Sequence, residues 1–450
     1  MLSAEHNKLL TEVDPGTPMG GLLRRYWFPF AGASEFEHKR IMPVRLLGEN
    51  LVAYRDLDGN YGLIDRHCPH RRADLSYGYV EKCGVRCNYH GWLLNHHGDV
   101  AEIAYDDLVH PEQKLKARVK VKAYPVKECS GLLFAYMGPD PAPELPIWEP
   151  LTWKDGFCQI VKSEIPCNWF QCQENSCDPV HFEWMHENWV NHLNGSDVNS
   201  APKHLSLTFE EVEYGHVYRR IREGQDEKSP HWSVGRLALW PNAFYLGEHF
   251  EWRVPIDAEN TLSICWFYDQ YPLDAPPYVQ TSVPTWRSPI KNDAGEWLTS
   301  HILNQDILAW VGQGTIADRT KEFLAASDRG IIMIRRRYME ELTKVNEGQD
   351  PKGIIRDPDA AKSIPLGIVG RSRSAGRVTR DQWKRDPYLS SKLVDHRHCA
   401  GQPPEVRRMF LHAMGFSESC DQIMHESLDE LQLASEPPTA TSKRGAALQI

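Results

Sequence analysis

The 450-residue chain has no apolar run approaching the roughly 20 residues that cross a bilayer, so no membrane helix is expected. Its first residues, MLSAEHNKLLTEVDPG, carry charges where a secretion signal has its apolar core, and the cytoplasm is the expected location. A basic block is also missing: 51 lysines and arginines stand against 61 acids, a net charge of −10. Neither a nucleic acid nor an anionic membrane surface is an expected partner. No G-x-G-x-x-G follows a strand-like run, so a dinucleotide or flavin would belong to another chain. There are no internal repeats, and a disulfide framework does not fit either. The eleven cysteines are an odd number, and Cys158, Cys167, Cys172, Cys177 and Cys265 stand singly among apolar and aromatic residues, as buried thiols do in a reducing compartment.

What is present is enough for several domains, with fifteen tryptophans that need a core around them. Up to about residue 140 the pattern is mostly strand. LVAYRDLDGNYGLIDRH is two apolar runs joined by an Asp-Gly turn signal, and in KLKARVKVKAYPV the residues Leu115, Ala117, Val119 and Val121 alternate with charged neighbours. GPDPAPELPIWEP then places prolines at 139, 141, 143, 146 and 150, a composition that continues neither helix nor strand and marks a boundary. Beyond it, short strand-like runs extend to about residue 290 beside helical patterns near 170–192 and 298–346, an α+β arrangement. Ile331, Ile334, Tyr338, Leu342 and Val345 fall on one helical face after Asp328, the expected cap. The stretch after residue 346 and the final EPPTATSKRGAALQI read as irregular or disordered.

Two clusters carry chemistry. HCPHRRADLSYGYVEKCGVRCNYHGW contains Cys68-x-His70, sixteen intervening residues, and Cys87-x-x-His90. Zinc accepts such a set, but its finger patterns pair cysteine with cysteine and histidine with histidine. One thiolate and one imidazole from each of two loops is the set a Rieske [2Fe-2S] cluster requires, with two cysteines on one iron and two histidines on the other. Cys83, His67, His96 and His97 fit neither loop and are taken as structural. The second cluster, NWFQCQENSCDPVHFEWMHENW, contains Asp178, His181 and His186. Non-haem Fe(II) oxygenases hold iron with two histidines and one carboxylate, leaving positions open. Residues five apart on a regular helix point about 140° apart, so His181 and His186 reach one metal only if the helix is bulged there or ends.

Asp178 is read as a partner for an imidazole N–H in preference to a ligand. The third ligand is sought in WLTSHILNQDILAWVGQG, where Asp306 shares a helical stripe with Ile302, Trp310 and Gln313. A carboxylate on an apolar face needs a metal or a cation, and a salt bridge to Arg319 is the alternative. His192 and His301 are set aside. The run RLALWPNAFYLGEHFEW, with Trp240 and Phe244, is expected to line a mostly apolar pocket suited to a substituted benzene, flanked by Arg236 and Arg253.

With these motifs and PGTPMGGLLRRYWFP and NQDILAWVGQGTIADRTKEFLAASDRG, the chain resembles the catalytic α subunit of the Rieske non-haem iron aromatic-ring oxygenases. Within them it is similar to the subgroup of phthalate, phenoxybenzoate and chlorobenzoate dioxygenases and the dehydrodivanillate O-demethylase. The resemblance spans residues 1 to about 345. It implies a [2Fe-2S] cluster on Cys68, His70, Cys87 and His90, and mononuclear Fe(II) on His181, His186 and Asp306. It implies that Asp178 bridges His181 to His90 of a neighbouring subunit in a homotrimer or hexamer, and that Asn175 faces the pocket. The implied fold is α+β: a Rieske β domain plus a catalytic domain with a curved antiparallel sheet and helices, of the helix-grip (Bet v 1/START-like) kind. The expected division is an N-terminal helical segment joining the catalytic domain (1–25), the Rieske domain (26–140), the catalytic domain (141–380) and an extension (381–450), partly disordered or packing on a neighbour. The implied partners are O2, a small aromatic substrate and a separate NAD(P)H-dependent flavin or iron-sulfur reductase. The implied reaction is ring dihydroxylation of an aromatic acid, with O-demethylation of a methoxylated lignin-derived aromatic, or electron carriage alone, as alternatives.

Overall fold

The structure, a computed structural model, describes residues 2–367 and 376–416; the expectation of disorder at the C-terminal end falls outside these residues. The N-terminal half holds eleven short strands. They are β1 (Trp27–Gly32), β2 (Ile41–Leu46), β3 (Glu49–Arg55), β4 (Tyr61–Asp65), β5 (Tyr79–Glu81), β6 (Gly84–Arg86), β7 (Trp92–Leu94), β8 (Val100–Ile103), β9 (Ala123–Tyr124), β10 (Val126–Cys129) and β11 (Leu132–Tyr136). They form three small antiparallel sheets ordered β2-β3-β4-β9, β5-β6-β7-β8 and β1-β11-β10. The Asp-Gly signal closes the β3–β4 hairpin, with Arg55 opposite Tyr61 and Gly59 at φ +94°. The alternation over residues 115–121 does not form a strand. Leu115 and Ala117 are exposed, and only an isolated bridge joins Lys120 to Asp99. A period of two makes a strand only where a partner edge runs alongside, and here the contact is limited to that bridge and one bond from Val121 N to Gly98 O.

The C-terminal half is built on one eight-stranded sheet. Its strands are β12 (Gly156–Ile165), β13 (His204–Val212), β14 (Gly215–Arg222), β15 (Arg236–Leu239), β16 (Ala243–Tyr245), β17 (His249–Pro255), β18 (Thr261–Gln270) and β19 (Thr285–Arg287). The order is β13-β14-β15-β16-β17-β18-β12-β19. Every pairing is antiparallel except β12–β19, because the chain leaves β18, passes over β12 and runs parallel along its far side. The N-terminal helix Ala4–Thr11, capped by Ser3, packs on this half, where Asn168 donates to Thr11 O and Asn7 to Ala317 O.

Cross-strand register separates the two faces of the sheet. Leu237 pairs with Tyr245 and Trp252 with Ile264, and these residues, with Phe250 and Trp266, form the largest core. Phe244 pairs with Glu251, Glu251 with Cys265, and His249 with Phe267 on the opposite face. That second face is covered by the helix Ile302–Gly312 and by the segment 379–416, whose helices span Arg380–Arg385, Pro387–Val394 and Pro404–Ala413. The described part of the segment expected as an extension, partly disordered or packing on a neighbour, folds onto its own chain. Phe410 meets Phe157 edge-on at 5.7 Å, and Lys392 donates to Glu248 (2.8 Å) and Asp269 (2.7 Å). Among the described residues no helix is long and apolar enough to cross a membrane.

Candidate functional site

The first cluster sits on two hairpin loops at one end of the N-terminal half. Cys68 N donates to Ala73 O and Cys87 N to Trp92 O, both at 2.8 Å, which turns each loop back on itself. Gly91, at φ +72°, makes the turn after His90, a conformation that costs other residues strain. Arg86 fixes the second loop by donating to Gly91 O (2.6 Å) while paired with Glu81 and Glu102. Arg66 and Asp74 (2.7 Å) clamp the first. The loops bury Cys68 and Cys87 and leave His70 and His90 exposed, their rings 4.5 Å apart and edge-on. Trp92 stacks flat on His70 at 5.1 Å. Burial pushes the Cys68 thiol up to about 11, and the adjacent Cys87 adds to the shift. Burial and the neighbouring His90 hold His70 below its ordinary value, in the neutral form that ligates metal. Two buried sulfurs beside two surface imidazoles fit one iron inside and one at the tip. Cys83 and His97 are exposed, while His67 and His96 are half-buried, with His67 beside Asp65 and His96 against His97.

The second cluster lies where the helix bearing His181 changes pitch. An α-helical turn, His181–Glu183, passes into a π-helix over Trp184–Trp189. The wider turn brings residues five apart toward one face, which is the bulge that the His-x4-His spacing required. His181 Nε2 and His186 Nε2 both converge on Asp306 Oδ1, at 3.7 and 3.4 Å. One ligand atom from each of the three lies within 4.8 Å of the others, the sole such grouping of metal-type ligands among the described residues. Burial opposes a charge on His186, yet the Asp306 carboxylate beside it outweighs burial and raises its pKa. Three donors crowded together, with His186 Nε2 buried and unpartnered, suit a cation between them.

Neighbouring side chains orient the three. Gln305 Nε2 donates to Thr299 O (3.0 Å), which turns its Oε1 toward His186 Nδ1 at 2.8 Å. The imidazole must then carry its proton on Nδ1, leaving the Nε2 lone pair free. Gln305 was not singled out in the sequence; its place beside Asp306 was the one signal available. Asn175 donates to Asp306 Oδ1 (3.3 Å). Asp178 Oδ2 lies 3.5 Å from His181 Nδ1. Burial works to raise the Asp178 carboxyl, but His181 and the backbone N–H of Val180 hold it below the usual range. Arg319, the alternative partner for Asp306, is instead bonded to Glu174 (2.6 Å), which also pairs with Arg335. His192 bonds Asn199 and His301 bonds Asp395, both outside the cluster.

The three converge on one end of a cavity of about 500 Å³. Phe244 and Asn175 line it; Trp240 does not. Trp240 follows the end of β15 on the core side, where its N–H donates to Tyr26 Oη (2.7 Å) and its ring meets Tyr338 at 4.3 Å. The cavity wall is more apolar than polar, as expected, with Phe182, Leu246 and Ile302 in it, while Leu237, Leu239, Tyr245 and Phe250 of the run face the core and alternate residues face the cavity. These are Arg236, Phe244, His249 and Glu251, with Tyr388, Arg397 and His398 contributed by the C-terminal segment. Arg253 is enclosed beside Glu251, to which it donates at 2.6 Å.

Comparison with known proteins agrees with this two-centre arrangement. Residues 26–118 match the Rieske [2Fe-2S] domain family and residues 291–371 the family described as LigXa C-terminal domain like. The chain is 54% identical over 418 residues to the 5,5'-dehydrodivanillate O-demethylase oxygenase subunit of Sphingobium sp. (strain NBRC 103272 / SYK-6), covering 93% of this chain and 98% of that one. It is 31% identical to the phthalate 4,5-dioxygenase oxygenase subunit of Pseudomonas putida, covering 82% and 91%. Among solved structures, Pseudomonas putida CBB5 NdmA shares the fold with a TM-score of 0.53 at 19% identity, covering 72% and 92%. The fold and paired centres define a Rieske-type oxygenase. The chain belongs to the Rieske non-haem iron aromatic-ring oxygenases, as a catalytic α subunit with a [2Fe-2S] domain and a His-His-Asp candidate iron site. As an oxygenase subunit it draws its electrons from a separate redox partner.

Proposed function

We propose that the protein O-demethylates a methoxylated, lignin-derived aromatic acid, with electrons from a separate NAD(P)H-dependent reductase. The observation that carries this reading is the 54% identity, over nearly the full length of both chains, to an O-demethylase oxygenase subunit. Ring dihydroxylation of an aromatic acid, the first expectation, rests on relatives near 31% identity and stands second. The reaction consumes one O2, two electrons and two protons per methoxyl group, and releases a phenol, formaldehyde and water.

In this reading Cys68, His70, Cys87 and His90 hold the cluster in a domain over residues 26–140, and His181, His186 and Asp306 hold iron in the catalytic domain beyond it. Bound there, iron supplies oxygen activation, fed with electrons from the cluster. Gln305 keeps His186 in the ligating tautomer, and Asn175 steadies Asp306. Phe244 and Tyr388 hold the ring in a cavity that limits water. Asp178 carries the link between centres. Its side chain is still 28% exposed and His90 lies at a surface, which supports a bridge across a subunit interface in a trimer. Supplying reductase, O2 and a methoxylated aromatic acid should yield one formaldehyde per O2 consumed. A ring diol without formaldehyde would select dihydroxylation.

A further inference from the structure

The acids and cations lining the cavity do not balance. Its three acids are all committed. Asp306 faces the two histidines, Glu251 is bonded to His249 (3.0 Å) and Arg253 (2.6 Å), and Glu248 is bonded to Lys392 (2.8 Å). Its two guanidinium groups, Arg236 and Arg397, have no carboxylate partner among the described residues, and the Nε of each is buried without an acceptor. Arg397 is nevertheless held in place, lying over the Tyr388 ring at 4.6 Å and donating to Ser391 Oγ (3.1 Å). Both side chains are half-buried, and a partly desolvated cation without a counter-charge carries a cost, so the missing acceptors define what should arrive.

Their separation restricts the ligand further. Arg236 stands on β15. The residue after Arg397, His398, packs on His249 of β17 (4.6 Å) and Phe267 of β18 (5.4 Å). β15 and β17 are two strand spacings apart, roughly 10 Å. With their backbones that far apart, the two side chains enter the cavity from separate sides, which suits a diacid whose carboxylates stand apart better than one whose carboxylates are adjacent.

We infer that Arg236 and Arg397 form a two-point anion clamp selecting aromatic diacids of biaryl size, one half of it supplied by the C-terminal segment. The inference rests on the aromatic-acid reading above but not on the reaction that follows binding. The guanidinium planes suit bidentate bonding to carboxylate, and Glu248 and Glu251, being neutralised already, do not repel it.

Calorimetric binding to the cluster- and iron-loaded enzyme tests the clamp, with 5,5'-dehydrodivanillate, its dimethyl ester and phthalate as probes. Wild type should bind the diacid far more tightly than either of the others. Arg236→Gln and Arg397→Gln should each weaken diacid binding about tenfold to a hundredfold, the worth of one charged hydrogen-bonding pair, and leave the diester within about twofold. Unchanged diacid binding in both variants overturns the clamp, as does an equal loss for diacid and diester, which would mark structural damage. Failure of wild type to bind the diacid overturns it too. Because turnover is not read, an enzyme that dihydroxylates instead of demethylating would still pass.

Discussion

Replacing Gln305 with Leu keeps the side-chain volume of the helix Ile302–Gly312 and removes the acceptor opposite His186 Nδ1. That bond is 2.8 Å long, and both residues are buried, at 6% exposure each. Water has no ready access to replace it, so the N–H is left unpaired at a cost of about 1–3 kcal/mol, and the alternative tautomer would put the proton on the ligating Nε2. Both effects fall on the metal-bound form. Iron affinity should drop about 10- to 100-fold, as for other partners of metal-binding histidines. The assay is a chelator competition for the mononuclear iron, with the electron paramagnetic resonance signal of the cluster followed in the same sample. The cluster signal should not change, since its loops lie in the N-terminal half. Undiminished iron affinity in Gln305→Leu would refute the tautomer argument; a lost cluster signal would show general misfolding.

Three further outcomes follow from the packing. Glu174→Ala should lower stability by about 3–5 kcal/mol in chemical denaturation, because Arg319 and Arg335 are left buried without their shared carboxylate. Trp240→Phe should cost about 1–3 kcal/mol through the lost bond to Tyr26 while leaving the substrate KM unchanged, because this residue faces the core. Glu251 is held at about 2; burial opposes the shift, but Arg253 and His249 outweigh it. A depressed carboxyl contributes stability that is full above its unfolded value near 4.3 and is lost as pH falls toward about 2. Acid unfolding followed by near-ultraviolet circular dichroism should therefore lose part of its pH slope across that window in Glu251→Gln.

What could be read from the sequence was local. The β3–β4 hairpin announced itself in two apolar runs and a turn dipeptide, and the Cys-x-His and Cys-x-x-His spacings contain their own loops. His181 and His186 carried even the requirement for irregular pitch, and an acid on an apolar stripe pointed to Asp306. What escaped depends on contacts far apart in the chain. Alternation in RLALWPNAFYLGEHFEW defined two faces but not which of them met the core, so Trp240 was assigned to the cavity and Arg236 to its flank. Gln305 gains its role from where Thr299 O and His186 happen to lie. The C-terminal segment is tied to the sheet by Lys392, whose partners lie 144 and 123 residues away, and no local pattern announces such a contact.

The most direct test of the two-centre account is iron and acid-labile sulfide per chain, with formaldehyde release, in wild type and Asp306→Ala. The account predicts three irons and two sulfides in the wild type; the variant should keep two irons, two sulfides and the Rieske signal, and release no formaldehyde. Three irons and sustained turnover in Asp306→Ala, or zinc without sulfide in the wild type, would contradict it.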